Sequence, residues 1–188
     1  MPAKPIEPSA DPRRLDLRTL ARLGAVLEGR LLQAGFQRLS QAVESAAQGA
    51  EVAWSARGEL RPVKGCDPQV WLHLAAQVQV QLVCQRCLQG LTEPLSVARS
   101  FLFVPDEEEA TRLDEEMEDD VLVLPRFFNV LELLEDELIL ALPIVPRHEV
   151  CPEPLPQPID DLGLEAADEL APHPFAALAA LKKPQRPN

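Results

Sequence analysis

Cys84 and Cys87 close the stretch Val83-Cys84-Gln85-Arg86-Cys87, and Cys151 follows His148 by three positions in Pro146-Arg147-His148-Glu149-Val150-Cys151. Thiols at such spacing serve three ends. A Cys-x2-Cys turn between strands lets two sulfurs converge on one tetrahedral ion, each near roughly 2.3 Å. A thioredoxin-type pair instead needs a helix N-terminus in a βαβ setting, where the dipole depresses a thiol pKa. Two small thiols can also simply fill a buried turn. Here the pair follows an alternating run and precedes Gly90 with no helical run behind it, which argues against redox catalysis even though Arg86 would favour a thiolate. His148 and Cys151 form a compact His-x2-Cys pair able to complete a closed site. The expected metal ligands are therefore Cys84, Cys87, His148 and Cys151, with zinc the one cofactor expected. The fourth cysteine, Cys66, lies outside this pattern and reads as a free thiol.

Little else suggests a reaction. His73, His148 and His173 have no serine or cysteine partner in a known nucleophile motif, and neither a Gly-x-Gly-x-x-Gly fingerprint nor a phosphate loop occurs. The string RSFLFV at 99–104 faintly resembles the aromatic strand of RNA-recognition motifs but lacks the diagnostic glycine. A strand turning Phe101 and Phe103 into the core explains it more simply. No catalytic residue, small-molecule substrate or enzymatic role is expected.

The elements that must position the thiols are mostly strands. Val70, Leu72, Leu74, Ala76, Val78, Val80 and Leu82 alternate with Gln69, His73, Gln77, Gln79 and Gln81. Period-two alternation of this kind describes an antiparallel sheet with one wet face. Val52, Trp54 and Ala56 suit an earlier strand, and the run from Leu95 to Val104 a later one with its apolar side at odd positions. Gly90 and Pro94 lie between the two longest runs, so the cysteine pair is expected in a hairpin connection. VLVLPRFF suits a short edge strand ended by Pro125. The clearest helix is NVLELLEDELILALP, with Asn129 as N-cap, Glu132 three positions on, and a stripe of Leu131, Leu134, Leu138 and Leu142. Pro143 stops it. Between Leu15 and Ala47 helical spacing is interrupted by Gly24 and Gly29, and Phe36, Leu39 and Val43 suit a short helix.

The expected fold is a single α+β domain: a mainly antiparallel sheet packed by one or two helices, with a disordered acidic loop and proline-rich tails. Its boundaries are a disordered tail over 1–14, a domain over 15–151, and a proline-rich tail over 152–188 that carries a short helix in HPFAALAALKK.

Charge is unevenly placed. The formal net charge is −12, and residues 106–120 hold ten acids and one arginine, so that block accounts for −9 and the remainder for −3. Such a block repels itself and is expected to be a mobile loop. Six arginines and three acids fall between Asp11 and Arg38. Arg13, Arg14, Arg18, Arg22, Arg30 and Arg38, with Lys182 and Lys183 near the end, are the candidate partner or RNA contacts. The start MPAKPIEPSADPRR lacks an apolar signal core, and the best apolar run, LILALPIV, is too short to span a membrane. A cytoplasmic protein with reduced thiols and no membrane contact is expected.

In order along the last two-thirds of the chain, VCQRCLQGLTEPL, LLEDELILALPIVPRHEVC and HPFAALAALKK resemble the YceD family, whose members are called large ribosomal RNA subunit accumulation proteins. The most specific piece runs from Glu135 to Pro146, and the string His173 to Lys182 agrees with it; the N-terminal third matches only loosely. The resemblance implies a non-enzymatic factor supporting synthesis, processing or stability of 23S rRNA and large-subunit assembly. It implies ribosomal or assembly proteins, large-subunit rRNA, or both, as partners. The alternatives left open are a CxxC thiol redox protein and a zinc-stabilised adaptor with no RNA role. Because broad RNA binding needs clustered cations, the acidic chain is expected to touch basic proteins through its acidic loop and apolar helix, or RNA weakly through its basic ends.

Overall fold

The computed structural model describes residues 11–44, 49–65 and 67–152. Five strands form one sheet in sequence order: β1 (Val26–Leu32), β2 (Glu51–Arg61), β3 (Gln69–Val83), β4 (Gly90–Val104) and β5 (Asp120–Val123). Neighbours pair antiparallel except β5, which runs parallel to β4 at the edge. Four helices accompany the sheet: α1 (Leu17–Leu23), α2 (Gln37–Ala42), α3 (Glu107–Asp114) and α4 (Val130–Leu140). The α+β class and the mainly antiparallel sheet expected from the alternation are both present, with four helices rather than one or two.

The even positions of β3 are buried along its whole length and face Val52, Trp54 and Ala56 of β2 and Leu95, Val97, Phe101 and Phe103 of β4 on one side of the sheet. Leu17 and Leu20 of α1 and Val130, Leu134 and Leu138 of α4 close this core from above. Gly58 of β2 lets α1 lie directly on the sheet. A Cβ there would stand 2.5 Å from the Ala21 nitrogen and 2.6 Å from the Leu20 carbonyl carbon.

Three expectations needed correction. The span after Gly24 is a strand. Asp16 caps α1 by accepting from the Thr19 N–H at 3.0 Å, Gly24 ends it in the left-handed conformation, and Val26–Leu32 then joins the sheet edge. The acidic block is not a mobile loop throughout. Asp106 caps α3 by accepting from Glu109 N–H at 2.9 Å, three glutamates fill its first turn, and Arg112 pairs with Glu109 and Glu116. Its apolar side, Ala110 and Leu113 with Met117 beyond, covers a second small core of Trp71, Leu102, Val104 and Val121 on the other face of the sheet. Finally, the chain is already held at Asp11–Arg14, where the Pro12 carbonyl accepts from Val130 N–H at 2.9 Å, rather than forming a free tail to residue 14.

The Glu135-Asp136-Glu137-Leu138 string has a structural task at every position. Glu135 Oε1 accepts from the backbone N–H of Arg38 at 2.7 Å and of Leu39 at 3.1 Å, capping an α2 that has no side-chain cap of its own. Asp136 pairs with the Arg38 guanidinium at 2.6 Å, Glu137 lies 3.6 Å from Arg99 of β4, and Leu138 is fully buried. Burial pushes the Glu137 carboxyl up, against the pull of Arg99.

Candidate metal centre

β3 delivers Cys84 and β4 begins at Gly90, so the turn between the longest strands is Cys84–Gln89. Cys84 N–H donates to the Gln89 carbonyl at 2.9 Å, and Leu88 N–H returns to the Cys84 carbonyl at 2.8 Å. Gly90 and Pro94, expected in the turn, belong to β4. Pro94 pairs with Gln79 at the end of β4 that β5 does not reach, where its missing N–H breaks no second ladder. Leu88 takes the left-handed position, φ 59°, a placement that costs a branched side chain on the order of 1 kcal/mol.

The second pair comes from the chain leaving α4. Gln85 N–H donates to the Pro146 carbonyl at 2.9 Å, and Arg86 donates to the carbonyls of His148 at 2.9 Å and Glu149 at 3.3 Å. These bonds dock residues 146–151 on the cysteine turn. The ligand atoms of Cys84, Cys87, His148 and Cys151 consequently all lie within 4.8 Å of one another. The Cys84 and Cys151 sulfurs are 4.0 Å apart, and Cys87 Sγ is 3.4 Å from His148 Nδ1. A tetrahedral ion with bonds near 2.3 Å separates its sulfurs by about 3.8 Å, so the donors already stand at coordination spacing. The three cysteines are unbonded thiols.

The surroundings suit a cation. His148 Nε2 lies 3.2 Å from the Gly90 carbonyl. A carbonyl only accepts, so Nε2 carries the proton and Nδ1 turns its lone pair toward the sulfurs. Desolvation pushes the Cys84 thiol up, but backbone donors from Cys87, His148 and Arg86 outweigh it and bring it down to about 5. Desolvation also pushes the Cys87 thiol up, and the neighbouring thiols of Cys151 and Cys84 add to the rise. Arg86 Nε donates to Cys151 Sγ at 3.1 Å and is thereby held above its usual pKa. Three thiolates around a divalent ion leave one negative charge, which this guanidinium offsets. Sequence reasoning noticed Arg86 only as a possible influence on its own cysteine pair, whereas its sulfur contact is to Cys151. The donor set, soft sulfur with one imidazole in tetrahedral spacing, fits zinc.

The other expected contact residues divide. Arg30 pairs with Glu51 at 3.5 Å, and Arg38 pairs with Glu135 and Asp136, so both serve the fold. Arg13, Arg14, Arg18 and Arg22 reach no carboxylate among the described residues. Cys66, Lys182, Lys183, His173 and the helix expected in HPFAALAALKK lie outside the described residues.

The sequence shows His73 no serine or cysteine partner in a known nucleophile motif. In the fold its Nδ1 is 2.9 Å from Ser100 Oγ and its Nε2 2.6 Å from Glu59 Oε2, across three adjacent strands. Hydrogen bonds from Arg61 first, and then His73, hold Glu59 down to about 2. Arg61 stacks over Trp71 at 4.1 Å. Register pairing alone would have found the Ser100 contact, since His73 faces Ser100 on β4, whereas Glu59 is the register partner of Trp71 and reaches His73 diagonally. The group lies across paired strands with its carboxylate already engaged by Arg61 and Arg57, and reads as a polar cross-strand ladder.

Comparison with known proteins gives a consistent result. The family described as "Large ribosomal RNA subunit accumulation protein YceD" matches residues 72–182. A protein of that name from Haemophilus influenzae is 36% identical over 129 residues, 62% of this chain and 69% of that relative. The matched stretch contains all four candidate ligands but not the arginines before β2. No solved structure matches the chain.

Proposed function

The chain belongs to the YceD family, and from that premise we propose that it is a non-enzymatic factor supporting accumulation of large-subunit ribosomal RNA, its shape tied together by one structural zinc. The relative's name supplies the RNA part of this reading. The observation that carries the non-catalytic part is the closure of the metal centre. Four protein donors lie within 4.8 Å of one another, and an ion held by all four would have no position left for water or substrate, the arrangement of structural rather than catalytic zinc. When bound, the ion would cross-link the β3–β4 turn to the chain leaving α4. Cys84, Cys87, His148 and Cys151 would hold it, with Arg86 and the Gly90 carbonyl orienting them.

The site acts in the cytoplasm on this reading, where thiols remain reduced and available. No helix among the described residues is long and apolar enough to cross a membrane. Leu140 is 77% exposed and Ile144 99% exposed, so the end of α4 and the chain leaving it present aliphatic side chains at the surface.

Depletion of the protein in its host tests the role. Large-subunit rRNA and the free large-subunit peak on a gradient are expected to fall relative to the small subunit. A normal large-subunit peak with normal precursor processing would remove the proposed role.

A further inference from the structure

The arginines of the described residues sort by partner. Arg30, Arg38, Arg57, Arg61, Arg99 and Arg112 each reach a carboxylate. Arg86 is spent on Cys151 and on the carbonyls of His148 and Glu149. Arg13, Arg14, Arg18, Arg22, Arg126 and Arg147 reach no carboxylate among the described residues, and Arg22 donates only to Thr19 Oγ1 at 3.2 Å; in an acid-rich chain such cations are the ones left for an outside anion. The fold brings Arg13 and Arg14 beside Arg126, and sets Arg18 and Arg22 on the helix that follows. A two-way backbone bridge between Leu15 and Phe128, 2.9 Å in each direction, lays the segment carrying Arg13 and Arg14 beside the one carrying Arg126 and Phe127. The Phe127 ring, 46% exposed, has two guanidiniums close by, Arg14 Cζ 5.1 Å and Arg126 Cζ 5.4 Å from its centroid. Arg18 and Arg22 stand one turn apart on α1, whose opposite side is buried through Leu17, Leu20 and Ala21. Both line an open cleft of about 500 Å³ with Leu60, Pro68 and Val70. Two carboxylates share that cleft, Asp16 and Asp67, and the first is committed to the α1 cap. Arg18 also lines a neighbouring cleft with Glu109 of α3, so the acidic helix bounds the basic band on that side.

We propose that Phe127 with Arg14 and Arg126, extended by Arg13, Arg18 and Arg22, is a contact surface for single-stranded RNA. Guanidiniums without carboxylates match phosphate oxygens in a bidentate fork. An exposed ring flanked by cations is a platform on which an unstacked base can lie, which a duplex does not provide. The surface offers an RNA a local patch of attraction on a chain of net charge −12. The assignment rests on the rRNA reading for the kind of nucleic acid, and its test is separate.

The probe is a labelled mixed-sequence single-stranded RNA of about 20 nucleotides, long enough to cover one such site, titrated with the full-length zinc-loaded protein over a range of salt. Arg14→Gln with Arg126→Gln is expected to flatten the log–log salt slope by about 1.4, at roughly 0.7 per lost single-strand phosphate contact. Phe127→Ala is expected to weaken binding by about tenfold while leaving the slope unchanged, because stacking releases no counterions. Arg30→Gln, which breaks only the pair with Glu51, should alter neither. All four substitutions are at exposed positions, and an unaltered melting temperature verifies the fold. Failure of the unaltered protein to bind the RNA, including the case in which the band captures an acidic protein instead, overturns the assignment, as do variants that bind with undiminished affinity and slope. Absence of RNA binding alongside loss of large-subunit rRNA on depletion would overturn this surface alone. Tight binding with normal rRNA after depletion would overturn the accumulation role alone.

Discussion

Replacing His148 by alanine is expected to lower the melting temperature of the zinc-loaded protein by about 10 °C, whereas in chelator-treated protein the same change should cost only about 3 °C. The difference follows from linkage. An ion held a thousandfold above its dissociation constant contributes about 4 kcal/mol to the folded state, and a domain of this size melts about 2–4 °C lower for each kcal/mol removed. Deleting one of four ligands forfeits most of that contribution. Without metal, His148 loses only its bond to the Gly90 carbonyl, worth about 1 kcal/mol. His148 is a better probe than Cys84. Cys84 is fully buried and packed in the core, so Cys84→Ser would place a hydroxyl among apolar groups and destabilise the protein with or without an ion. Thermal melts of the two proteins with and without chelator check the expectation. Equal losses in both states would mean that the cluster holds no ion. The same result would leave standing the alternative of a thiol redox protein built on the Cys84–Cys87 pair.

The second large effect is expected far from the cysteines. Gly58→Ala should lower stability by about 3 kcal/mol, read as a shifted urea midpoint at unchanged slope. The added methyl would meet only backbone, the Ala21 nitrogen at 2.5 Å, the Leu20 carbonyl carbon at 2.6 Å and the Ala21 Cα at 2.8 Å. Backbone cannot rotate aside, so α1 would have to lift from β2 and expose Leu17 and Leu20, both buried. Gly29→Ala is the natural comparison, since its methyl would touch only the Trp54 ring at 3.2 Å, while Gly35→Ala meets nothing within 4 Å. A Gly58→Ala midpoint indistinguishable from that of Gly35→Ala would contradict the described packing of α1.

What the sequence revealed followed from how local each signal was. β3 was readable because seven alternating apolar positions need only one covered face, and α4 because Asn129 accepts from Glu132 N–H at 3.3 Å as its cap. β1 was not, because AVLEGRLL has spacing compatible with a helix and only pairing with β2 decides for a strand. α3 was obscured by its charge. Its formation depends on Trp71, Leu102, Val104 and Val121, which make part of the face expected to be wet apolar instead. At the candidate centre the ligand types and both compact pairs were visible in the sequence. The Gln85–Pro146 hydrogen bond that brings the pairs together spans strand turn and helix exit, and no spacing rule contains it. Likewise Arg126 and Phe127 escaped notice because they join the N-terminal arginines only through the Leu15–Phe128 bridge.

The central claim is that one ion joins the β3–β4 turn to the chain leaving α4. X-ray absorption at the zinc edge, on protein purified without chelator and with its metal content measured in parallel, tests it most directly. The account predicts one zinc per chain with three sulfur ligands near 2.3 Å and one imidazole nitrogen near 2.0 Å, all within ordinary structural-zinc distances. Metal-free protein, or a zinc carrying a water in place of His148, would contradict it.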